Sequence, residues 1–513
     1  MKTSVSIVIV HWNTPEILKN QLEKLVSNPK LQIIVVDNRS RELLSWIKKD
    51  FSSVELVENK NNYGYAFACN QGVLKAKGDW LLFLNPDVDI NPEIIRQLVE
   101  FAKKNKLNAC SPTVGENYRK SLPSWWSLLV EFSPLHKFSG FTDFQTLQTL
   151  FGGCLLIKKE VIKKLVGWDE RFFLWFEDSD LTLRLIKNNY KIGWFEHQIN
   201  HLGGISFALL NDQYKKDLFF HSMSVFSLKH FSWFGKIIIK LIHDKYSKRK
   251  LLPKITNKVS ITLPNQEEKL LKTFFSQNFR TPGVREEWIV VSSAINNYEV
   301  WRWREKYPGV RFIPIEKNYG FAHTVNIGFR VSTGKWIGTV NDDTILTVDW
   351  INDCLFVADN KTGSINPIIY KKNGKIETAG INILPYGKAI RNTVLKNSVH
   401  IQATNAAAVI YSKHALNHVG FFDERFGSYL EDIDLSLRLT RAGYKNLVSN
   451  KASIVHYGQQ TSSGVGAKKR FMDFRNWIYI ILKNWGAKKL IQNFPAIFVE
   501  RLRNLFGIIK YFF

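Results

Sequence analysis

Glu177, Asp178 and Asp180 open a run of helix-forming residues, FEDSDLTLRLIKNN, with Arg184 four positions beyond Asp180. A carboxylate at a helix start, behind aromatic residues, can take a proton from a substrate hydroxyl. Capping competes with that reading, because acids suit the positive end of a helix. Asp87 and Asp89, in LNPDVDI, follow the apolar run WLLFL. Acids after a buried strand suit an oxygen-seeking divalent ion that shares its shell with substrate phosphates. Asn-Pro-Asp is also a turn signal, and alone it favours the turn. Of His197 and His201, the second is the better candidate ligand, since two glycines follow it; a lone histidine is more often structural.

Repetition decides between these readings. Glu177, Asp178, Asp180 and Arg184 recur 254 positions on as Glu431, Asp432, Asp434 and Arg438. Asn85 and Asp87 recur as Asn341 and Asp343, and His201 as His456, whereas His197 has no partner. Asp89 falls on Ile345, which leaves Asp87 the better metal ligand. Asn62, Tyr63, Gly64, Ala66, Asn70 and Gly72 also return, 256 positions on. Acids, histidines and glycines persist at strand ends while apolar positions drift, which favours a site over coincidental caps. One loss stands out: Asp37-Asn38 becomes Ser292-Ser293.

The elements that must hold these residues follow from periodicity. SVSIVIV, LQIIVVD, VELVE and WLLFL read as buried strands, with helices between them, the first opening at Pro15 behind Thr14 as N-cap. Such alternation predicts an α/β fold with a mostly parallel sheet, whose ligands bind at the carboxyl ends of the strands. Gly152 and Gly153 in FGGCLLI would let backbone approach a ligand closely. The stretch from Cys110 to Gln148, rich in Ser, Pro, Trp and Phe, reads as a variable segment suited to acceptor specificity. Its Trp125 and Trp126 fit either a core or a membrane-facing role.

The chain has 513 residues, 45% apolar, which implies two or more domains. Four scattered cysteines without a C-x-x-C pair argue against a zinc site or a disulfide scaffold and suit a reducing cytosol. No signal peptide or membrane-spanning run is expected. Of the net charge of +26, segments 229–258 and 468–513 carry most. Both interleave basic residues with bulky apolar ones, and in the second Ile491, Phe494, Phe498, Leu502, Leu505, Ile509 and Phe512 recur at helical steps. That pattern favours an anionic membrane surface over nucleic acid. The alternative is packing on the core with solvated lysines.

Taken in order, HWNT, VVDNRS, NNYGYAFACNQG, LNPD and FEDSDLTLR resemble glycosyltransferase family 2, in particular its bacterial rhamnosyltransferases of surface polysaccharide synthesis. NDDT and YLEDIDLSLR carry the resemblance through the second copy. It implies two tandem GT-A (Rossmann-like) domains, each using a nucleotide-sugar donor, dTDP- or UDP-linked, with Mg²⁺ or Mn²⁺. By resemblance, Asp178 and Asp432 are the catalytic bases, with Glu177, Asp180, Glu431 and Asp434 in supporting or capping roles. Asp87 with His201, and Asp343 with His456, would hold the metal. The donor would meet Val10, His11 and Trp12, Asp37 and Asn85 in the first copy, and Pro264 and Asn341 in the second. Ser292 departs from the family where the nucleobase aspartate is expected.

The resulting expectation is a bifunctional inverting transferase that builds a lipid-linked bacterial surface glycan on the inner face of the plasma membrane. Its modules would span 1–228 and 259–475, each followed by a basic amphipathic segment, 229–258 and 476–513. L-Rhamnose would be the first module's sugar. The rivals are one active module with a degenerate glycan-binding copy, and, from other classes, a nucleic-acid-binding protein or a membrane scaffold.

Overall fold

The computed structural model describes residues 4–114, 121–137, 148–203, 210–247, 259–279, 286–395, 399–458 and 466–512. Part of the Ser-, Pro- and aromatic-rich stretch after Cys110, the link after Ser247, Gly204, and the side chains of Ile509 and Phe512 lie outside that set. Two compact units divide the chain: Met1–Pro253 with Asn297–Pro308, and Lys254–Asn296 with Gly309–Phe513.

In the first unit, β1 (Val5–His11) is central and pairs in parallel with β2 (Leu31–Asp37), which pairs with β3 (Val54–Glu58). On its other side β1 runs parallel to β4 (Trp80–Leu84). Alternation assigns the two faces: Ile7, Ile9, Ile33 and Val35 pack under α1 (Pro15–Leu25) and α2 (Ser45–Asp50). Val8, Ile34 and Val36 pack under α3 (Tyr65–Lys75). A sheet covered on both faces needs the continuous apolar runs seen in the sequence. Thr14 does not cap α1 through its side chain. Its backbone N–H donates instead to His11 Nε2 at 3.0 Å, tying the helix start to the strand end.

Beyond β4 the pairing changes direction. After β5 (Val88–Asp89), α4 (Pro92–Lys104), β6 (Ala109–Val114) and α5 (Trp125–Glu131), strand β7 (Cys154–Lys158) lies antiparallel to β4 and β6. Past α6 (Lys159–Lys164) and α7 (Glu177–Lys187), strand β8 (Ile192–His201) runs parallel to β6, and its end pairs antiparallel with β5. The order is β3-β2-β1-β4-β7-β6-β8-β5, a mixed sheet with its parallel half at β3 to β4. The reversal has a purpose: the exit of β4 meets the entry of β7, where Asn85 N–H donates to Gly153 O at 2.8 Å. Helices α8 (Asp212–His230) and α9 (Trp233–Tyr246) close the unit.

The second unit repeats the plan. Strands β9 (Val259–Asn265), β10 (Glu287–Ser292), β11 (Val310–Pro314), β12 (Trp336–Val340), β13 (Thr344–Leu346), β14 (Thr362–Lys371), β19 (Ala408–Ser412) and β20 (Lys445–His456) follow the order β11-β10-β9-β12-β19-β14-β20-β13. Between β14 and β19 come four short strands, β15 (Ile376–Thr378), β16 (Ile381–Ile383), β17 (Ala389–Arg391) and β18 (His400–Ile401). In chain order the helices are α10 (Glu268–Asn278), α11 (Phe321–Val331), α12 (Trp350–Leu355), α13 (Lys413–Val419) and α14 (Glu431–Arg441). The last pair is α15 (Gly466–Asn484) and α16 (Ala487–Phe512).

The repeat therefore extends into the closing helices. Lys229, near the end of α8, binds Asp169 at 2.6 Å and Asp180 at 2.5 Å. Lys483, near the end of α15, binds Asp423 at 2.7 Å and Asp434 at 2.9 Å. Residues 228 and 229 fall within α8, and 475 and 476 within α15. The second helix of each pair is the amphipathic one. On α9, Trp233, Phe234, Ile237 and Leu241 are exposed, and so are Ile491, Phe494, Phe498 and Leu505 on α16. Trp125 is half-buried and packs on α9, its ring 5.5 Å from that of Phe234. Among the described residues no helix is long and apolar enough to cross a membrane, and all four cysteines are free and buried.

Candidate active site

Each acidic helix starts from the same backbone device. Trp175 and Phe176, immediately before α7, both have positive φ, at 66° each; Tyr429 and Leu430, before α14, have φ of 71° and 68°. Consecutive left-handed conformations at bulky residues are costly, on the order of 1–3 kcal/mol each, and persist where the surroundings impose them. The surroundings here are the repeated Asn-Tyr-Gly turn and its helix. Gly64, at φ +88°, accepts close approach of the Phe173 backbone, and Tyr65 N–H donates to Phe173 O at 2.9 Å. Asn70 Nδ2 donates to Trp168 O at 2.9 Å and to Glu170 at 2.8 Å. The second unit matches it: Ala322 N–H donates to Gly427 O, and Asn326 to Phe422 O and Glu424. The repeated Asn-Tyr-Gly residues thus form a clamp on the loop that delivers the acids.

Those acids separate by depth. Asp180 is fully buried, bound by Arg184 at 2.7 Å, Lys229 and His230. Burial alone would raise its pKa, but Arg184 and Lys229 outweigh burial and hold it well below the ordinary range. Asp434 repeats the arrangement with Arg438 at 2.8 Å and Lys483. Both anchor the closing helices. Asp178 and Asp432 are half-buried. Asp178 lines a small cleft with Ser111, Thr113, Gln148 and Trp194. Gly152 sits against its Cβ, so the glycine accommodates the acid itself; Ala406 stands at that place in the second unit. Ala406 N–H donates to Asp432 Oδ2 at 3.0 Å and Ile433 N–H to Oδ1 at 2.8 Å, fixing that carboxylate's orientation. Burial raises the Asp432 pKa, and burial with the Asp432 charge raises buried Glu431 further. The two carboxyls titrate as a pair.

The two metal pairs also assemble. Asp87 Oδ2 lies 3.3 Å from His201 Nε2, and Asp343 Oδ1 lies 3.2 Å from His456 Nε2. Asp343 Oδ1 is buried without a hydrogen-bond partner. Ligand atoms about 3 Å apart fit neighbouring positions around one ion with bonds of roughly 2.0–2.1 Å. Among the described residues no group of three His, Cys, Asp or Glu side chains converges as a cage. A divalent ion would complete its shell with water and substrate phosphate, a usual Mg²⁺ arrangement. The residues present fit the group. Asp89 turns away to pair with Lys24 at 2.6 Å.

At the nucleotide end the units differ. His11 and Asp37 are register partners on β1 and β2. Because Thr14 N–H occupies His11 Nε2, the proton sits on Nδ1 and is donated to Asp37 Oδ1 at 3.0 Å. Ser40 adds its hydroxyl to Oδ1 at 2.5 Å and its N–H to Oδ2 at 3.1 Å. Burial would raise the Asp37 pKa, but the His11 and Ser40 bonds prevail and lower it. Asp37 thus pins β1 to β2, a duty the sequence reading did not assign. In the second unit Asn265 and Ser292 hold the same register. Ser292 Oγ donates to Asn265 Oδ1 at 2.7 Å, and Asn265 Nδ2 donates to Asp342 Oδ2 at 2.7 Å. Burial, with the charge of Asp343, pushes Asp342 up to about 7. The carboxylate missing at Ser292 is offset by one at the end of β12, on the other side of β9. Val10 and Trp12 are half-buried at the end of β1 and the loop after it, as is Pro264 near the end of β9; Asn341 N–H donates to Ala407 O.

The sequence profile described as "Glycosyl transferase family 2" matches residues 6–166 and again 261–416. The chain belongs to glycosyltransferase family 2. A further profile, "N-terminal domain of galactosyltransferase", matches residues 136–205. Relatives include the low-salt glycan biosynthesis hexosyltransferase Agl10 of Haloferax volcanii, 26% identical over 38% of this chain and 65% of its own. Rhamnosyltransferase WbbL of Escherichia coli K12 is 24% identical over 35% of this chain and 76% of its own. Escherichia coli chondroitin synthase is 22% identical over 89% and 71%. The chain spans less than two thirds of the length of several relatives, 65% for the Haloferax protein. Among solved structures, a Pyrobaculum calidifontis mannosyltransferase in complex with GDP-Man and Mn²⁺ aligns with a TM-score of 0.35 at 15% identity, over 59% of this chain and 82% of that one.

Proposed function

We propose that the transferase is bifunctional, with an inverting glycosyl-transfer site in each unit. The observation that carries this reading is the recurrence of one geometry: a half-buried Asp after a left-handed pair, and an Asp–His pair at the end of the last strands. In each site Asp178 or Asp432 takes the proton from an acceptor hydroxyl as that oxygen attacks the anomeric carbon opposite the diphosphate. A divalent ion held by Asp87 and His201, or by Asp343 and His456, would supply charge neutralisation for the departing nucleoside diphosphate. One base without a covalent intermediate suits inversion. The donors are nucleotide sugars, dTDP-rhamnose in the first unit and a second sugar in the other. The acceptor is a growing lipid-linked bacterial surface polysaccharide. The rhamnosyl assignment draws on the likeness to WbbL. The lipid acceptor draws on a relative named N-acetylglucosaminyl-diphospho-decaprenol L-rhamnosyltransferase, from Mycobacterium tuberculosis.

The exposed apolar residues of α9 and α16 are interleaved with Lys236, Lys240, Lys488, Lys489 and Arg503. This supports peripheral attachment to the inner face of the plasma membrane, where the acceptor lipid lies. Asn265 and Ser292 favour a second reading, in which the second unit binds glycan without turning it over. Offering a panel of nucleotide sugars to Asp178→Ala and Asp432→Ala proteins separates the two. Bifunctionality predicts that each variant consumes a donor the other does not. Identical donor use by wild type and Asp432→Ala favours the second reading.

A further inference from the structure

We propose that Glu377 is the positioning residue that orients His456 for metal binding. The inference rests on the reading that His456 and Asp343 hold the divalent ion. Glu377 lies on β15, where the pairing with β14 slips: Thr378 faces Ile369 and Ile376 faces Tyr370, leaving Glu377 as the extra residue of a bulge. Bulges re-aim side chains, and they recur beside active sites. This one turns Glu377 inward, to 8% exposure, with Oε2 2.9 Å from His456 Nδ1. Arg391, on β17, donates to Glu377 Oε1 at 2.6 Å and fixes the carboxylate from behind.

The consequence is a choice of tautomer. In the neutral ring that would bind an ion, Nδ1–H donated to Glu377 leaves the lone pair on Nε2, the atom 3.2 Å from Asp343 Oδ1. A carboxylate behind a metal-binding imidazole holds the ring in place and makes the ligand more basic, and loss of such a partner typically costs 10–100-fold in metal affinity. The first unit is built differently: among the described residues the ionic partner of His201 is Asp87, and the edge of its ring packs on Phe151 at 5.1 Å.

The test uses full-length protein carrying Asp87→Ala, so that the second site alone reports. Mn²⁺ binding is followed by electron paramagnetic resonance, with ¹⁴N modulation marking imidazole ligation. Glu377→Ala is expected to weaken Mn²⁺ about 10–100-fold and to diminish the nitrogen modulation. Glu377→Gln, which keeps an acceptor for Nδ1–H, should lose less, and it carries the test if the alanine protein does not fold. Mn²⁺ affinity within twofold and undiminished modulation in both variants overturn the role of Glu377. If the Asp87→Ala protein shows no nitrogen modulation even with Glu377 intact, the assignment of His456 as a ligand fails first, and the inference with it.

Discussion

Ser292 Oγ donates to Asn265 Oδ1 at 2.7 Å, at the two strand-end positions where Asp37 accepts from His11 in the first unit. An acid–imidazole pair has become a hydroxyl–amide pair, and Asn265 uses its other end to reach Asp342. The exchange is coupled. Ser292→Asp sets a carboxylate against a carbonyl oxygen, and Asn265→His removes the donor to Asp342. Each single change should cost about 1–3 kcal/mol, the usual penalty for an unsatisfied buried group. Ser292→Asp with Asn265→His should recover part of that loss. Urea melts of the four proteins read the coupling; strict additivity contradicts the interpretation.

The buried Asp180 cluster makes a larger prediction. Lys229→Met leaves Asp169 and Asp180 partly uncompensated, as Lys483→Met leaves Asp423 and Asp434. Each should lower stability by roughly 3–5 kcal/mol, as when one partner of a buried pair is removed. The folded pKa of Asp180 lies below its unfolded value. Its contribution is therefore present above about pH 4, the unfolded carboxylate range, and is lost as pH falls toward the folded value. Thermal melts between pH 7 and pH 3 should show this acid loss flattened in Asp180→Asn.

The fold was legible because both faces of the sheet are covered, so strands appear as unbroken apolar runs. Asp178, Asp432 and the Asp–His pairs were legible because they repeat. The same filter hid Asp342, which falls opposite Pro86, and Glu377, which lies in a segment with no readable counterpart. The Asn-Tyr-Gly turn was visible, but its task was not, since Asn70 acts on a loop about a hundred residues away. Positive φ at Trp175, Phe176, Tyr429 and Leu430 could not be anticipated, because none of these residue types favours it. Thr14 takes the N-cap position expected of it, but its side chain makes no capping bond, and the helix start is tied to the strand through its N–H to His11 instead.

A base acts in its ionised form, so second-unit transfer should fall as pH drops through the pKa of Asp432. That limb should lie above the ordinary aspartate range, because burial raises the group, while the Ala406 and Ile433 N–H bonds and, less strongly, the positive charge of Arg391 oppose the rise. Arg391→Ala should shift the limb of the kcat/KM profile to higher pH, and Arg391→Lys should restore it. A limb that does not move separates Arg391 from the base.

Membrane attachment through α9 and α16 predicts co-sedimentation with anionic vesicles that weakens with salt. Trp233→Glu with Leu241→Glu on α9, and Ile491→Glu with Phe498→Glu on α16, should each reduce binding. Loss of all four apolar contacts should abolish it, while donor hydrolysis in solution persists. Equal binding by the fourfold variant rules out these faces.

The central claim is that both units catalyse, and mass spectrometry of products on a defined lipid-linked acceptor tests it most directly. Wild type should elongate by alternating additions. Asp178→Ala and Asp432→Ala should each stop after at most one sugar, and the two proteins mixed should restore elongation. Elongation by Asp432→Ala alone, equal to wild type, would contradict the account.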